Sequence, residues 1–162
     1  MKILVVLAVA LILCGCQRNP YAHIFTTDKP EPSRVVGRYL LQDQTLVSGG
    51  TTAMHGRTCE VVLSADGTFA ATNVPPFEFG APEISSLDSL VSGSGRWRIE
   101  SVGSIDNGFG KPKTHWGVRL GSVGHPLAFA GFTGQEAPYG LIFTIGDPDS
   151  GTVMILRVKD RK

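Results

Sequence analysis

Three features of the sequence predict an all-β fold, an antiparallel meander of about eight strands forming a small barrel or sandwich. Short runs rich in β-branched and aromatic residues recur from residue 35 to residue 162. Several of them alternate apolar and polar residues with period two, the pattern of a strand with one buried face. The third feature is the spacing: about eight such runs follow one another at short intervals, as in an all-β meander.

Val35 to Leu41 opens the domain. Thr58 to Ser64 and Thr68 to Thr72 follow, joined across Ala65-Asp66-Gly67. Asp-Gly between two such runs predicts a hairpin with a type I′ turn, whose two central residues both need positive φ. Alternation in Thr58 to Leu63 places Cys59 on the core face with Val61 and Leu63. It is expected to act there as a small buried hydrophobe and not as a nucleophile or redox group. In Arg96 to Ser101, Trp97 and Ile99 oppose Arg96, Arg98 and Glu100; in His115 to Leu120, Trp116, Val118 and Leu120 oppose His115 and Arg119. Pro126 to Phe132, Tyr139 to Ile145 and Thr152 to Val158 complete the set. Closing eight antiparallel strands into a barrel removes exposed edges. Leu141-Ile142-Phe143 and Val153-Met154-Ile155-Leu156 are apolar on both faces, so their outer side should be covered.

Asn73 to Gly95 is a long insert carrying Pro75, Pro76, Phe77 and Phe79. It contains the one helix predicted, a short one from Pro82 to Val91, with proline in the first turn, Ile84, Leu87 and Val91 on one face and Gly93 beyond the end. A connection of this length reads as a cover for the core in preference to a ligand lid.

Upstream of the domain, Lys2 precedes an apolar run from Ile3 to Leu13, which ends in Leu13-Cys14-Gly15-Cys16. The run is about half of the roughly 20 residues a spanning helix needs, and its layout is that of an export signal. The four closing residues resemble the lipobox of bacterial lipoproteins. That resemblance implies a signal peptide over residues 1–15 and lipidation of Cys16 as the mature N-terminus. Cys14 follows bulky Leu13, whereas Cys16 follows Gly15, the small residue that the peptidase requires. The implied diacylglycerol and N-acyl chains would make anchoring stable. Gln17 stands where an aspartate would signal inner-membrane retention, which favours the outer membrane in a Gram-negative cell. Residues 16–34, with Pro20, Pro30 and Pro32 and no sustained periodicity, read as the lipidated N-terminus and a flexible tether. At about 3.1 Å per residue such a tether could hold the domain, residues 35–162, several nanometres from the bilayer.

Gly37-Arg38-Tyr39, Ala65-Asp66-Gly67-Thr68-Phe69 and Gly95-Arg96-Trp97 look like landmarks of small lipocalin-like β-barrels, with Tyr39 where lipocalins proper carry tryptophan. The resemblance implies a closed barrel and a central ligand cavity.

Without Lys2 the 15 basic residues become one fewer and match the 14 acidic ones, so the mature chain is formally neutral. A nucleic-acid partner would call for a strong basic face. Arg157, Lys159, Arg161 and Lys162 face only Asp160 near the C-terminus; a solvated end is favoured there over attraction to anionic headgroups. With Cys16 consumed by lipid, only Cys59 remains and no intramolecular disulfide can form.

The histidines His23, His55, His115 and His125 lack the close spacing of zinc or copper sites and read as surface or turn residues. Only a spatial assembly of His55, His115 and His125 could make them a metal set. Asp147 to Gly151 reads as a tight connection, lacking the further ligands of a calcium loop. Ser92-Gly93-Ser94-Gly95 reads as loop and not as a nucleophile elbow, and Gly108-Phe109-Gly110 has no phosphate-loop lysine in register. No catalytic residue, cofactor or metal is therefore expected. The function expected is that of a lipid-anchored envelope protein with a non-catalytic binding or structural role, its partners the membrane and an envelope protein. The alternatives are a lipocalin-like carrier of a small apolar ligand and an envelope hydrolase with a spatially assembled site.

Overall fold

The computed structural model describes residues 19–41, 58–76, 90–106, 111–122, 125–145 and 153–159. Eight antiparallel strands form one closed barrel in sequential order: β1 (Gly37–Leu41), β2 (Glu60–Leu63), β3 (Thr68–Val74), β4 (Val91–Ile105), β5 (Lys113–Ser122), β6 (His125–Thr133), β7 (Gly140–Thr144) and β8 (Val153–Val158). The barrel closes where Tyr39, Leu40 and Leu41 of β1 pair with Val158, Arg157 and Leu156 of β8. Each predicted run supplies one strand, and the choice between barrel and sandwich falls to the barrel.

Period-two alternation is what the core uses. Tyr39, Val61, Leu63, Phe69, Val118, Leu120, Phe132, Leu141, Phe143, Met154 and Leu156 are all buried in one cluster. The charged residues of the same strands point outward, as in the paired Arg38 and Glu60 (2.6 Å) and Arg98 and Glu100. An apolar inside with a charged outside is the reverse of a membrane-spanning barrel.

Two local predictions are corrected. The β2–β3 connection is not a type I′ turn. Gly67 alone has positive φ (81°), and its N–H donates to the Ser64 carbonyl at 3.1 Å while Ser64 N–H donates to the Thr68 carbonyl at 2.9 Å. This is the three-residue hairpin, a type I turn followed by a left-handed glycine. Asp66 is free to act as an acceptor: its Oδ1 takes bonds from the Thr68 hydroxyl (2.6 Å) and N–H (2.9 Å), which hold its carboxyl below the usual range.

Ser92 to Gly95, read as loop, belongs to β4 and pairs with β3, Gly93 opposite Ala71 and Gly95 opposite Phe69. Here the small residues make room. A Cβ on Gly95 would sit 3.2 Å from the Phe69 ring, and one on Gly93 3.3 Å from Leu127. The register shift between Ala71 and Val74 is taken up by Asn73, at φ 52°, whose amide donates to the Thr58 carbonyl at 2.8 Å. Of the predicted helix, residues 82–89 lie outside the described residues, and Val91, its expected end, opens β4.

Gly117 of β5 lies tight against both neighbouring strands, β4 and β6. A Cβ there would overlap the Ala130 carbonyl oxygen and both methyls of Val102. Because one obstacle is backbone, Gly117→Ala should force the strands apart and lower stability by about 1–3 kcal/mol, read by urea denaturation.

The expected tether is instead built into the barrel from Asn19 onward. Below Gly117 and Gly131 the strands β5 and β6 separate, and Thr26 fills the gap. Its N–H donates to the Phe132 carbonyl (3.0 Å) on one side, and its carbonyl accepts from Trp116 N–H (3.0 Å) on the other. Thr26 is completely buried. Phe25 bridges to Thr133 and packs with Ile105, Ile142 and Val153. The N-terminal segment is thus the cover expected over the apolar outer face of β7 and β8. The short helix Pro32–Val35 then leads into β1, with Val35 fully buried and its carbonyl accepting from the Tyr39 hydroxyl.

Candidate functional site

The three sequence landmarks converge at one end of the barrel. Gly37 pairs with Leu63, Arg96 donates to the Asp66 carbonyl at 2.7 Å, and the Trp97 indole donates to the Ser64 carbonyl at 2.9 Å. They stitch β1, the 64–67 turn and β4 together, which is a structural task. Toward the barrel axis stand Tyr39, Phe132, Phe143 and Met154, each at 1% exposure or less, where a central ligand would have to lie.

A cleft of about 610 Å³ lies outside the barrel, between the N-terminal segment, the β6–β7 connection and β8. That volume is in the range of small-ligand sites. The three walls are held rigidly. The first is a single 3₁₀ turn, Ala22–Ile24, whose entry is fixed by Asn19: its Oδ1 accepts from Tyr21 N–H (2.8 Å) and its carbonyl from Ala22 N–H (3.2 Å). The second wall is tied to the first, because Gly134 N–H donates to the Ile24 carbonyl (2.8 Å) and the Gln135 amide to the Phe25 carbonyl (2.8 Å). Gly134 turns with φ 94°. The third wall comes in close because Gly140 has no side chain: a Cβ there would meet the Thr133 hydroxyl and the Leu156 carbonyl.

Ile24, Tyr139 and Ile155 give the cleft its apolar surface, and exposed His23 and Arg157 stand at its rim. His23 Nδ1 lies 3.0 Å from the Pro20 carbonyl oxygen. The arrangement suits a molecule with an anionic group and an adjoining apolar part. Among the described residues that line it, no nucleophile is paired with a base. Sequence reasoning misses this site, since His23 falls in a stretch with the composition of a tether and Arg157 in a charged end; both line one cleft because the N-terminal segment is bonded into the wall at Thr26.

His115, read as a surface or turn residue, is instead buried under that segment. Its ring stacks on Phe25 with centroids 3.8 Å apart and planes 6° from parallel, and Nε2 lies 3.2 Å from the Phe132 carbonyl oxygen. Gly131 leaves the space for the ring, since a Cβ there would overlap it. Burial pushes its pKa down to about 4, opposed only by the Phe132 contact. His55 and Cys16 lie outside the described residues, as do Asp147 to Ser150 and Phe109, and the side chain of His125 is also undescribed. Among the described residues no three His, Cys, Asp or Glu side chains approach closely enough to hold a metal ion.

Cys59 is buried as the alternation predicts, its thiol directed at Met154 Sδ at 3.2 Å. Burial pushes the thiol up to about 12, so the reactive thiolate is negligible at neutral pH. No family model matches the chain, and no curated protein or solved structure shows significant similarity to it.

Proposed function

We propose that the chain is a lipid-anchored protein of the cell envelope, held at the outer membrane in a Gram-negative cell, whose barrel acts by binding or as a structural component and not by catalysis. The observation that carries this reading is Leu13-Cys14-Gly15-Cys16 standing just upstream of a segment built into the barrel wall. Between Cys16 and Asn19 stand only Gln17 and Arg18. A lipid at Cys16 would be joined to the barrel through the 3₁₀ turn and the hydrogen bonds of Ile24, Phe25 and Thr26. An envelope protein partner fits the formally neutral mature chain, whereas a nucleic-acid partner would call for a strong basic face.

The carrier reading is weaker, because an apolar ligand in the barrel would have to displace Tyr39, Phe132 or Phe143 from a packed cluster. Intact-mass analysis of the membrane fraction tests the anchor. The wild type should be cleaved before Cys16 and carry acyl chains, and Cys16→Ser should lose both. A soluble, unacylated wild type would overturn the reading.

A further inference from the structure

Accepting the anchor at Cys16 proposed above, we infer that the outer cleft seats an anionic phospholipid of the same bilayer, so that the barrel lies on the membrane with its β6–β8 side toward the headgroups.

Chain length is the first argument. Asn19 is fixed to the 3₁₀ turn by two hydrogen bonds, and the turn is fixed to the barrel through Ile24, Phe25 and Thr26. From Cys16 to Asn19 the chain can reach about 10 Å at full extension, at about 3.3–3.6 Å per residue. This replaces the several nanometres of a free tether. The part of the barrel nearest Asn19 cannot leave the headgroup region while Cys16 holds its lipids in the bilayer.

The second argument is chemical. The cleft begins at that same turn, with His23 and Ile24 in its lining. Arg157 supplies a guanidinium suited to a phosphodiester, at the mouth of a surface made by Ile24, Tyr139 and Ile155. By the period of β8, exposed Lys159 falls on the same outward side as Arg157. The acidic residue on the β6–β7 connection, Glu136, is exposed but does not line the cleft. Cationic charge at the rim and apolar surface below match a phosphate headgroup with the first part of its acyl chain.

The test uses the full lipidated protein in vesicles of phosphatidylcholine alone or mixed equally with phosphatidylglycerol. A nitroxide is attached at His23→Cys on the cleft rim, or at Ala70→Cys, exposed on β3 across the barrel. Buried Cys59 does not compete for the label. Mass analysis of each sample establishes its acylation. In mixed vesicles the label at 23 should be several-fold less accessible to an aqueous relaxation agent than the label at 70. Arg157→Glu, a change at an exposed side chain, should reduce that protection by about fivefold or more, the effect of at least one charge near an anionic surface. Equal accessibility at 23 and 70 in acylated protein would overturn the inference while leaving the anchor intact. Equal protection with and without phosphatidylglycerol would overturn the anionic lipid as the occupant. Unacylated protein would remove the anchor, and the inference with it.

Discussion

Replacing Phe25 with alanine is expected to destabilise the barrel by about 3–5 kcal/mol, the cost of deleting a buried aromatic ring. The ring fills the space between the His115 imidazole and the outer apolar face formed by Ile105, Ile142 and Val153. Its loss leaves a cavity there and lets water reach His115. Phe25→Leu keeps most of the volume and should cost much less. The measurement is urea unfolding of the full chain followed by tryptophan fluorescence. A cost within about 0.5 kcal/mol, typical of surface substitutions, would mean that residues 19–27 do not belong to the folded unit.

The second large effect is on pH dependence. The folded-state pKa of His115 is lowered from 6.5 to about 4, chiefly by burial. At pH 7 the imidazole is neutral in the folded chain and mostly neutral in the unfolded one, so the penalty there is small. As pH falls through 6.5 the unfolded chain takes up a proton that the folded one refuses. Stability therefore declines between pH 6.5 and about 4, where the folded form also protonates and the loss levels off. At 1.36 kcal/mol per pKa unit the loss is on the order of 3 kcal/mol. Phe25 stacks on the ring, the Phe132 carbonyl oxygen lies against its Nε2 and the Gly131 backbone passes beside it, and none of these groups is charged. Asp66 and Glu60, both held below the usual carboxylate range by hydrogen bonds, lose their contributions in a more acid window. Unfolding free energies measured from pH 7.5 to 4 should show the slope in the wild type and lose it in His115→Gln. Phe25→Ala should also flatten it, because opening the ring to water raises its folded pKa. A wild-type slope that survives His115→Gln would assign the effect elsewhere.

The eight strands were legible because each carries its own signal. Val61 and Leu63, Trp97 and Ile99, and Val118 and Leu120 alternate with polar neighbours, and period two needs no knowledge of the partner strand. The doubly apolar Ile142 and Ile155 also announced correctly that something covers their outer side. What covers them was not legible. Phe25 and Thr26 enter the wall as a single bridge and a pair of backbone hydrogen bonds, too short for any period. Their surroundings, polar and rich in proline, have the composition of a linker. The strand through Gly93 and Gly95 was hidden for the opposite reason: those positions are small so that Leu127 and Phe69 can be large, a relation visible only across strands. The cleft is hidden for the first of these reasons, since it exists only once the N-terminal segment is docked beside β8.

Amide hydrogen exchange of the full chain at Thr26, Trp116 and Gly134 tests this docking most directly. The N–H groups of all three donate in the bonds that join the N-terminal segment to the barrel. The account predicts that Thr26 and Gly134 are protected to the same degree as Val118 and Leu120 in the core of β5, exchanging only when the barrel opens as a whole. Exchange of Thr26 and Gly134 at the rate of a free linker, with Val118 and Leu120 still protected, would contradict it.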